Sequence, residues 1–557
     1  MIDKAFLYLP YSQMLLHVTL YVLVFLFLCY INNGRQNMGT YVNPGMERLK
    51  RSKANKHYVD KSMILSILNE RINTDDNLIC VSRPRRFGKT MAANMIAAYY
   101  TKGSDSHEIF SSLKISKDPT FEDNINKYTV IQLDINNIIT RKGALSVPSF
   151  IKSLVVPELR EEYPSLDLGE DVDIPGAILE IYKKTGDQFV FVIDEYDVII
   201  RDQGYSSELR GYLSFLVSLF KNSTVSPAIA LAYLTGIMPI IREKVQSKLN
   251  NFTEYTMIDA DEMAPFMGFT EEEVKGLSLK AGMDYEEIKH WYDGYNLKGL
   301  DIYSPKSVIT ALTKKQCDDY WTQTGSYEAL KDYILLDFNG IKSDVIRMVS
   351  EESIPVNVSK FTNSRVVNSK DDVFTALIHL GYLGYNYSEK TCFIPNYELM
   401  KAWINVLEDT PDYEGVAELI KESKSLLEAT WNGDEEAVIE GIAKAHGEAC
   451  SILKYNNEGS FQSAIHLAYY FAKSDYTIIN ELPAGKGYAD VAFVPYKPNI
   501  PALIIELKKD DTTSAAIEQI RERKYPEAME KYKENLLLVA ITYDSKTKEH
   551  FCRIEKA

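Results

Sequence analysis

Cysteine is scarce in this chain: six residues in 557 (Cys29, Cys80, Cys317, Cys392, Cys450, Cys552), far apart and without a C-x-x-C pair. That spacing fits a reducing compartment and leaves out both a structural zinc site and a disulfide framework. His290, His379, His446 and His466 show no metal-ligand spacing either. Positive charge is not in surplus. With 62 Lys and Arg against 78 Asp and Glu the net charge is -16, which excludes a surface coated for indiscriminate nucleic-acid binding while leaving room for a local basic groove. Internal repeats and low-complexity linkers are also missing. What is present, 45% hydrophobic and 25% charged residues, is ordinary globular composition, and the length exceeds one core and suggests two to four domains.

Long apolar runs are absent with one exception. Met14 to Ile31 reads "MLLHVTLYVLVFLFLCYI" without a charge, at the lower limit of length for a membrane-spanning helix. No small-residue cleavage site follows it, so an uncleaved anchor is favoured over a signal peptide. Arg35, Arg48, Lys50, Arg51, Lys53 and Lys56 come after it and would keep the rest of the chain in the cytoplasm. The other reading is that translation begins at Met38 and residues 1–37 are upstream sequence read in frame. The two imply an inner-membrane anchor at 14–31 with cytoplasmic domains, or a wholly cytoplasmic protein.

"VSRPRRFGKT", residues 81 to 90, is a phosphate loop with a substitution. Gly88, Lys89 and Thr90 fit G-x-x-x-x-G-K-[ST], but Arg83 stands where the first glycine belongs. The apolar run from Asn77 to Ser82 reads as a strand and "KTMAANMIAAYY" as a helix, the context in which such a match gains weight. Backbone N–H groups at a helix start receive phosphate oxygens, Lys89 reaches the outer phosphates, and Thr90 meets Mg2+. "FVFVIDEYDVII" supplies a second signal: a strand from Phe189 to Ile193 ends in Asp194, which suits Mg2+, and Glu195, which suits orientation or deprotonation of the attacking water. Tyr128 to Ile135 and Ala228 to Gly236 are further strands, with a helical pattern at Ser206 to Lys221, so a parallel sheet wrapped by helices is expected. Thr235, ending the last strand, is placed to touch the γ-phosphate or the water. Arg83, Arg85 and Arg86 have three open roles: clamping the nucleotide, reaching a neighbouring subunit as fingers, or pairing with acids such as Asp197.

The C-terminal stretch carries a different chemistry. "GYADVAFVP" places Asp490 near the start of a strand, and "PALIIELKK" presents Glu506 and Lys508 two apart on the next, hence on one face. Two carboxylates suit hard cations such as Mg2+. The lysine can orient a water or stabilise charge building on phosphorus. Glu458 opens an amphipathic helix before this core; Gln519 and Tyr525 follow it, with Arg521, Arg523 and Lys524 offering phosphate contacts. A charged E-L-K-K strand end is commonly a solvated edge, so the reading rests on the whole pattern. Between the halves, about Glu271 to Gly447, the chain reads as mostly helical. "WYDGYN" (Trp291 to Asn296) suits a packed aromatic corner, and Arg242 is either a sensor or finger arginine or, more commonly for such a residue, part of a surface salt bridge.

"YVDKS", "SRPRRFGKT", "VIDEYD", "YLTGI", "MGFT", "WYDGYN" and "IYSPKSVI", in that order, resemble the bacterial AAA-ATPase-like family that carries a C-terminal PD-(D/E)XK nuclease-like domain. The resemblance runs from about Asn43 onward. It implies that Arg83 is the family's usual residue, and a family start near "YVNPGM" that supports Met38 as initiator. The expected fold is α/β: a P-loop parallel sheet with flanking helices at 43–270, a mostly helical lid or linker at 271–447, and an α/β restriction-endonuclease-like domain at 448–557. The expected cofactors are ATP and Mg2+. Arg85, Arg86, Gly88, Lys89, Thr90, Asp194 and Thr235 hold the nucleotide, with Thr90, Asp194, Asp490 and Glu506 on metal and Glu195, Asp490, Glu506 and Lys508 catalytic. Glu458, Gln519 and Tyr525 support the nuclease-like core. Two functions follow: an ATP-binding, ATP-hydrolysing protein that controls a nuclease acting on DNA or RNA, or a nucleotide-dependent switch whose nuclease-like domain does not cut. Homo-oligomers are a further expected partner, and a membrane only if Met14 to Ile31 is a true anchor.

Overall fold

The computed structural model describes residues 38–240, 249–321, 327–336, 338, 340–361, 367–453, 458–484, 487–496, 499–523 and 529–557. Met14 to Ile31, Arg242, Lys524 and Tyr525 lie outside the described residues, as does the side chain of Glu458. Among the described residues no helix is long and apolar enough to cross a membrane. Two compact units form, one from the residues up to Arg83 together with Gly88–Thr256, the other from Pro84–Phe87 together with Met257–Ala557.

The first unit is built on five parallel strands, β1 (Leu78–Ser82), β2 (Thr129–Asp134), β3 (Phe189–Asp194), β4 (Ile229–Gly236) and β5 (Thr253–Tyr255), ordered β2-β3-β4-β1-β5. The central strands β3 and β4 are buried along their whole length, which is why they are continuous runs of apolar residues and do not alternate. Helices Val147–Glu162, Ile174–Thr185 and Ser206–Phe220 cover one face, where Phe191, Ile193 and Leu234 pack among Ile151, Val155, Ile178 and Leu216. The register pairs Asp194 with Thr235 and Thr235 with Val81, so the C-terminal ends of β3, β4 and β1 lie side by side. Ligands of open parallel sheets bind at such ends.

In the second unit, short antiparallel hairpins (Tyr295–Leu297 with Leu300–Tyr303, and Gly384–Asn386 with Thr391–Phe393) interrupt a mostly helical region. "WYDGYN" packs as an aromatic corner: Trp291 stands edge-on to Tyr397 at 4.7 Å and Tyr295 edge-on to Phe87 at 5.4 Å. A five-stranded mixed sheet follows: β6 (Tyr476–Ala484), β7 (Gly487–Pro495), β8 (Ala502–Lys509), β9 (Leu536–Tyr543) and β10 (His550–Lys556), in sequential order. Only β8 and β9 are parallel, because the helix Thr513–Glu522 crosses between them. One face, bearing Leu503, Ile505, Leu507, Val539 and Ile541, packs with apolar side chains of the helices Glu414–Asn432, Glu435–Leu453 and Glu458–Ala468. The other face, with Ala502, Ile504, Leu538 and Ala540, packs on Ala516, Ile517 and Ile520 of the crossover helix. The observed class is α/β, with a P-loop-type parallel sheet, a helical middle and a C-terminal mixed sheet.

Gly294 of the aromatic corner and Gly299 of the hairpin turn after it separate strain from crowding. Gly294 (φ +107°) would place a Cβ 1.8 Å from the Pro395 carbonyl oxygen, whereas Gly299 (φ +93°) has open space there. Left-handed backbone alone costs an alanine about 1–2 kcal/mol. Thermal melts are therefore expected to show Gly299→Ala near that cost and Gly294→Ala well beyond it; equal losses would contradict the packing described.

Candidate functional sites

Residues Gly88, Lys89, Thr90, Asp194, Glu195 and Thr235 come together in the first unit. The helix α1 (Lys89–Tyr100) begins directly after Gly88, whose φ of +91° is left-handed and whose missing side chain leaves open space. A side chain there would strain the turn and fill the approach to the first N–H groups of α1. Lys89 is buried, and its Nζ stands 3.9 Å from Glu195 Oε1. Burial pushes its ammonium below the usual lysine range, against the pull of Glu195, Asp197 and Asp194. Asp194 is buried too. Desolvation lifts its carboxyl to about 6 in spite of a hydrogen bond from the Thr90 hydroxyl, and Glu195 adds to the rise. The Glu195 N–H donates to Asp194 Oδ1 at 3.0 Å, closing a local turn in which Glu195 holds φ at +51°. Thr235 is wholly buried and donates its hydroxyl to the Val81 carbonyl at 3.0 Å.

The three arginines take three different roles. Arg83 is fully buried, and its Nη1 donates to the Ser82 and Tyr255 carbonyls at 2.8 and 3.1 Å, tying the end of β1 to the end of β5. Its Nε and Nη2 have no hydrogen-bond partner among the described residues, and burial lowers its guanidinium to about 10. Arg85 is exposed. Arg86, at φ +72°, groups with the second unit, where its Nη1 donates to the carbonyls of Tyr320 and Trp321 at 3.2 and 3.3 Å. The N–H groups of those same two residues donate to Glu398 Oε1 at 2.8 and 3.0 Å. Asp197 has Arg201 for its cation, with Nε 3.4 Å from Oδ2.

In the C-terminal sheet Asp490, Glu506, Lys508 and Gln519 converge. Pairing between β7 and β8 ends at Val491 and Ile505. Beyond that point Asp490 Oδ2 accepts the Leu507 N–H at 2.7 Å, so a carboxylate replaces the strand's hydrogen bond where the two strands part. Glu506 is fully buried. Its Oε1 accepts from Lys508 Nζ at 2.8 Å and from the Gln519 amide. Its Oε2 has no partner among the described residues. Burial raises the Glu506 carboxyl above its usual range, with Lys508 opposing and Asp490 reinforcing the shift. Thr542 pairs in parallel register with Lys508, is buried, and has an unpartnered hydroxyl among the described residues. Glu458 is the first residue of its helix. No cluster of three or more His, Cys, Asp or Glu able to hold a metal occurs among the described residues; the two carboxylates and neighbouring polar groups make up this donor set.

Sequence reasoning missed Arg201, Thr542 and Glu398. Arg201 lies six residues after Glu195, outside any motif period. Thr542 becomes a neighbour of Lys508 only through strand register.

Residues 46–246 match the family model described as a predicted AAA-ATPase, and residues 456–551 match that of the PD-(D/E)XK nuclease superfamily. Among curated proteins the chain is similar to an uncharacterized protein in the vnfD 5' region of Azotobacter chroococcum mcd 1. The two are 24% identical over 285 residues, covering 50% of this chain and 52% of that protein. The chain thus spans about half the length of this curated relative. Among solved structures it is similar to the ORC2 protein of Aeropyrum pernix, determined as ADPNP–ADP complexes. There the identity is 12% and the TM-score 0.25, with 64% of this chain and 94% of that one covered.

Glu398 yields a pH test. Burial lifts its carboxyl from 4.5 to about 8, although the Tyr320 and Trp321 N–H groups favour the charged form. A folded-state value above the unfolded one means that the group's contribution to stability is complete below about 4.5 and is lost as pH rises through 8. Urea unfolding should therefore show Glu398→Gln gaining stability relative to the wild type between pH 5 and pH 8.5. A wild type that gains over the variant across that range would contradict the assignment.

Proposed function

We propose, for a chain that carries an AAA-ATPase-like domain at 46–246 and a PD-(D/E)XK nuclease-superfamily domain at 456–551, that the first site binds and hydrolyses ATP with Mg2+. The second binds a divalent cation and cuts phosphodiester bonds in DNA or RNA under control of the nucleotide state. One observation supports both halves: each site buries a carboxylate, Asp194 or Glu506, whose pKa is raised by desolvation. A buried carboxylate without full compensation costs stability, and beside Lys89 at a helix start, or Lys508 where two strands part, it marks a candidate ligand site.

The residues present fit the implied ligands. Gly88 leaves the start of α1 open to an anion, and Lys89 supplies a buried positive charge beside it. Glu506 Oε2 is a buried acceptor with a vacant lone pair, which suits a hard cation. A bound Mg2+ supplies positive charge that offsets charge developing on phosphate oxygens. In the first site, Thr90 and Asp194 would hold it, the N–H groups of Lys89 and Thr90 receive phosphate oxygens, and Glu195 takes the proton of the attacking water at its carboxylate. In the second, Asp490 and Glu506 would hold it, Gln519 fixes Glu506 by its bond to Oε1, and Lys508 Nζ orients the water or stabilises negative charge on the phosphate.

A second reading has an observation in its favour. Asp490 Oδ2 is occupied by the Leu507 N–H and Lys508 by Glu506, contacts that a purely structural cluster would also make. In that reading the ATPase half is a nucleotide switch and the C-terminal domain binds without cutting. Plasmid and RNA cleavage with Mg2+ or Mn2+ separates the two, together with equilibrium binding of a fluorescent ATP analogue. Lys89→Ala should weaken analogue binding at least tenfold, equivalent to about 1.4 kcal/mol or more. Asp490→Ala and Lys508→Ala should abolish cleavage while binding the analogue normally. Cleavage that survives both substitutions would remove the nuclease assignment; a wild type that turns over ATP yet never cuts would establish the switch.

A further inference from the structure

One side chain outside every motif touches the water-activating glutamate. Arg201, the last residue of the short helix Val198–Arg201, donates from Nη2 to Glu195 Oε2 at 3.0 Å, and its Nε lies 3.4 Å from Asp197 Oδ2. The second contact is a charge pair and makes no hydrogen bond. Asp197 is itself fixed. It is fully buried, and its Oδ2 accepts the N–H groups of Ile237 and Met238 at 3.1 and 2.9 Å, in the turn directly after Thr235. A Cβ at Gly236 would fall 2.5 Å from Asp197 Oδ1, so the glycine is what admits the carboxylate. The neighbouring Tyr196 N–H donates to the Thr235 carbonyl at 3.1 Å. One guanidinium therefore ties Glu195 to the strand end that carries Thr235.

The arrangement answers a conflict of charge. Among the described residues a second cation, Lys89, stands 3.9 Å from Glu195. A phosphate at the start of α1 draws on that same ammonium, and Lys89, already 3.9 Å from the glutamate, then holds it less firmly. Glu195 also sits on a left-handed backbone, where a non-glycine residue persists only if its surroundings fix it. Resting on the reading of Glu195 as the group that accepts the water's proton, we propose that Arg201 is a positioning residue for ATP hydrolysis. It holds the Glu195 carboxylate in place through Asp197 and the turn after Thr235 when the nucleotide takes Lys89. Its rigid planar guanidinium meets the two carboxylates through separate nitrogens, Nη2 and Nε, a fixed geometry that a lysine's single Nζ does not reproduce.

The test compares wild type, Arg201→Gln, Arg201→Lys, Glu195→Gln and the double variant Glu195→Gln/Arg201→Gln in the full chain. Three readouts apply: ATP turnover, equilibrium affinity for a fluorescent ATP analogue with Mg2+, and the unfolding midpoint without nucleotide. Arg201→Gln should lose tenfold or more in kcat while analogue affinity and KM stay within threefold. Arg201→Lys should fall between it and the wild type. The double variant should be no slower than Glu195→Gln alone, because Arg201 acts through Glu195. A kcat within twofold of wild type or above it in Arg201→Gln would overturn the proposal. So would losses that multiply in the double variant, or a fall in analogue affinity and melting point in both Arg201 variants as large as the fall in kcat, which marks a merely structural arginine. If Glu195→Gln turns over ATP like the wild type, the reading of Glu195 fails first and the proposal falls with it.

Discussion

The first site depends on a set of charges confined at the C-terminal ends of β3 and β4. Lys89 and Arg201 face Asp194, Glu195 and Asp197, and three of the five, Lys89, Asp194 and Asp197, are almost wholly removed from water. Burial of this kind is expensive unless the charges are interleaved and hydrogen-bonded. Here they are: the Thr90 hydroxyl and Glu195 N–H serve Asp194, two main-chain N–H groups serve Asp197, and Arg201 spans the two acids that Lys89 does not fully neutralise. Negative charge still outweighs positive in the set, which is the condition under which a divalent cation is welcome. The parallel register of β3, β4 and β1 is what brings these residues to one place.

The phosphate loop meets a second constraint at its tip. Pro84–Phe87 belong by their packing to the second unit, and there Arg86 and Glu398 grip the same two residues, guanidinium on the Tyr320 and Trp321 carbonyls and carboxyl on their N–H groups, with the Tyr320–Trp321 peptide bonded to both. Hydrogen bonds arranged in series polarise one another. Phe87 adds edge-on contacts with Tyr295 and Trp321, and its carbonyl accepts the Gly268 N–H. The arginine in place of the first glycine is accommodated by turning inward. Arg83 spends its Nη1 on the ends of β1 and β5, where a glycine would have left the two strands without this tie.

How far the sequence foretold this varies with the range of the interaction. The strands around Phe189–Asp194 and Ile229–Gly236 and the helix Lys89–Tyr100 were legible because each is a local pattern: short apolar runs, then helix formers after a glycine. The pairing of Glu506 with Lys508 was legible too, since two residues apart on a strand share a face. Arg201 was not, because it meets Asp197 and Glu195, four and six residues before it, only once Val198–Arg201 forms its single helical turn. Thr542 was not, because its place beside Lys508 follows from the parallel register of β8 and β9 across a helix. The fates of Arg83, Arg85 and Arg86 were equally hidden. Three adjacent cations with one composition are separated only by burial, and burial is decided by Tyr255, Tyr320 and Trp321, far along the chain.

The two sites share a feature: a buried acid, Asp194 or Glu506, with a lysine nearby and its carboxyl raised by desolvation. Glu506 Oε2 also has no partner among the described residues. The central claim is that both acids are places for divalent cations, and the most direct measurement is anomalous scattering from Mn2+ in crystals of the full chain grown with a non-hydrolysable ATP analogue. Two peaks are predicted, one against Asp194 and Thr90 and one against Asp490 and Glu506. Crystals with the analogue bound and no peak at either place would contradict the account.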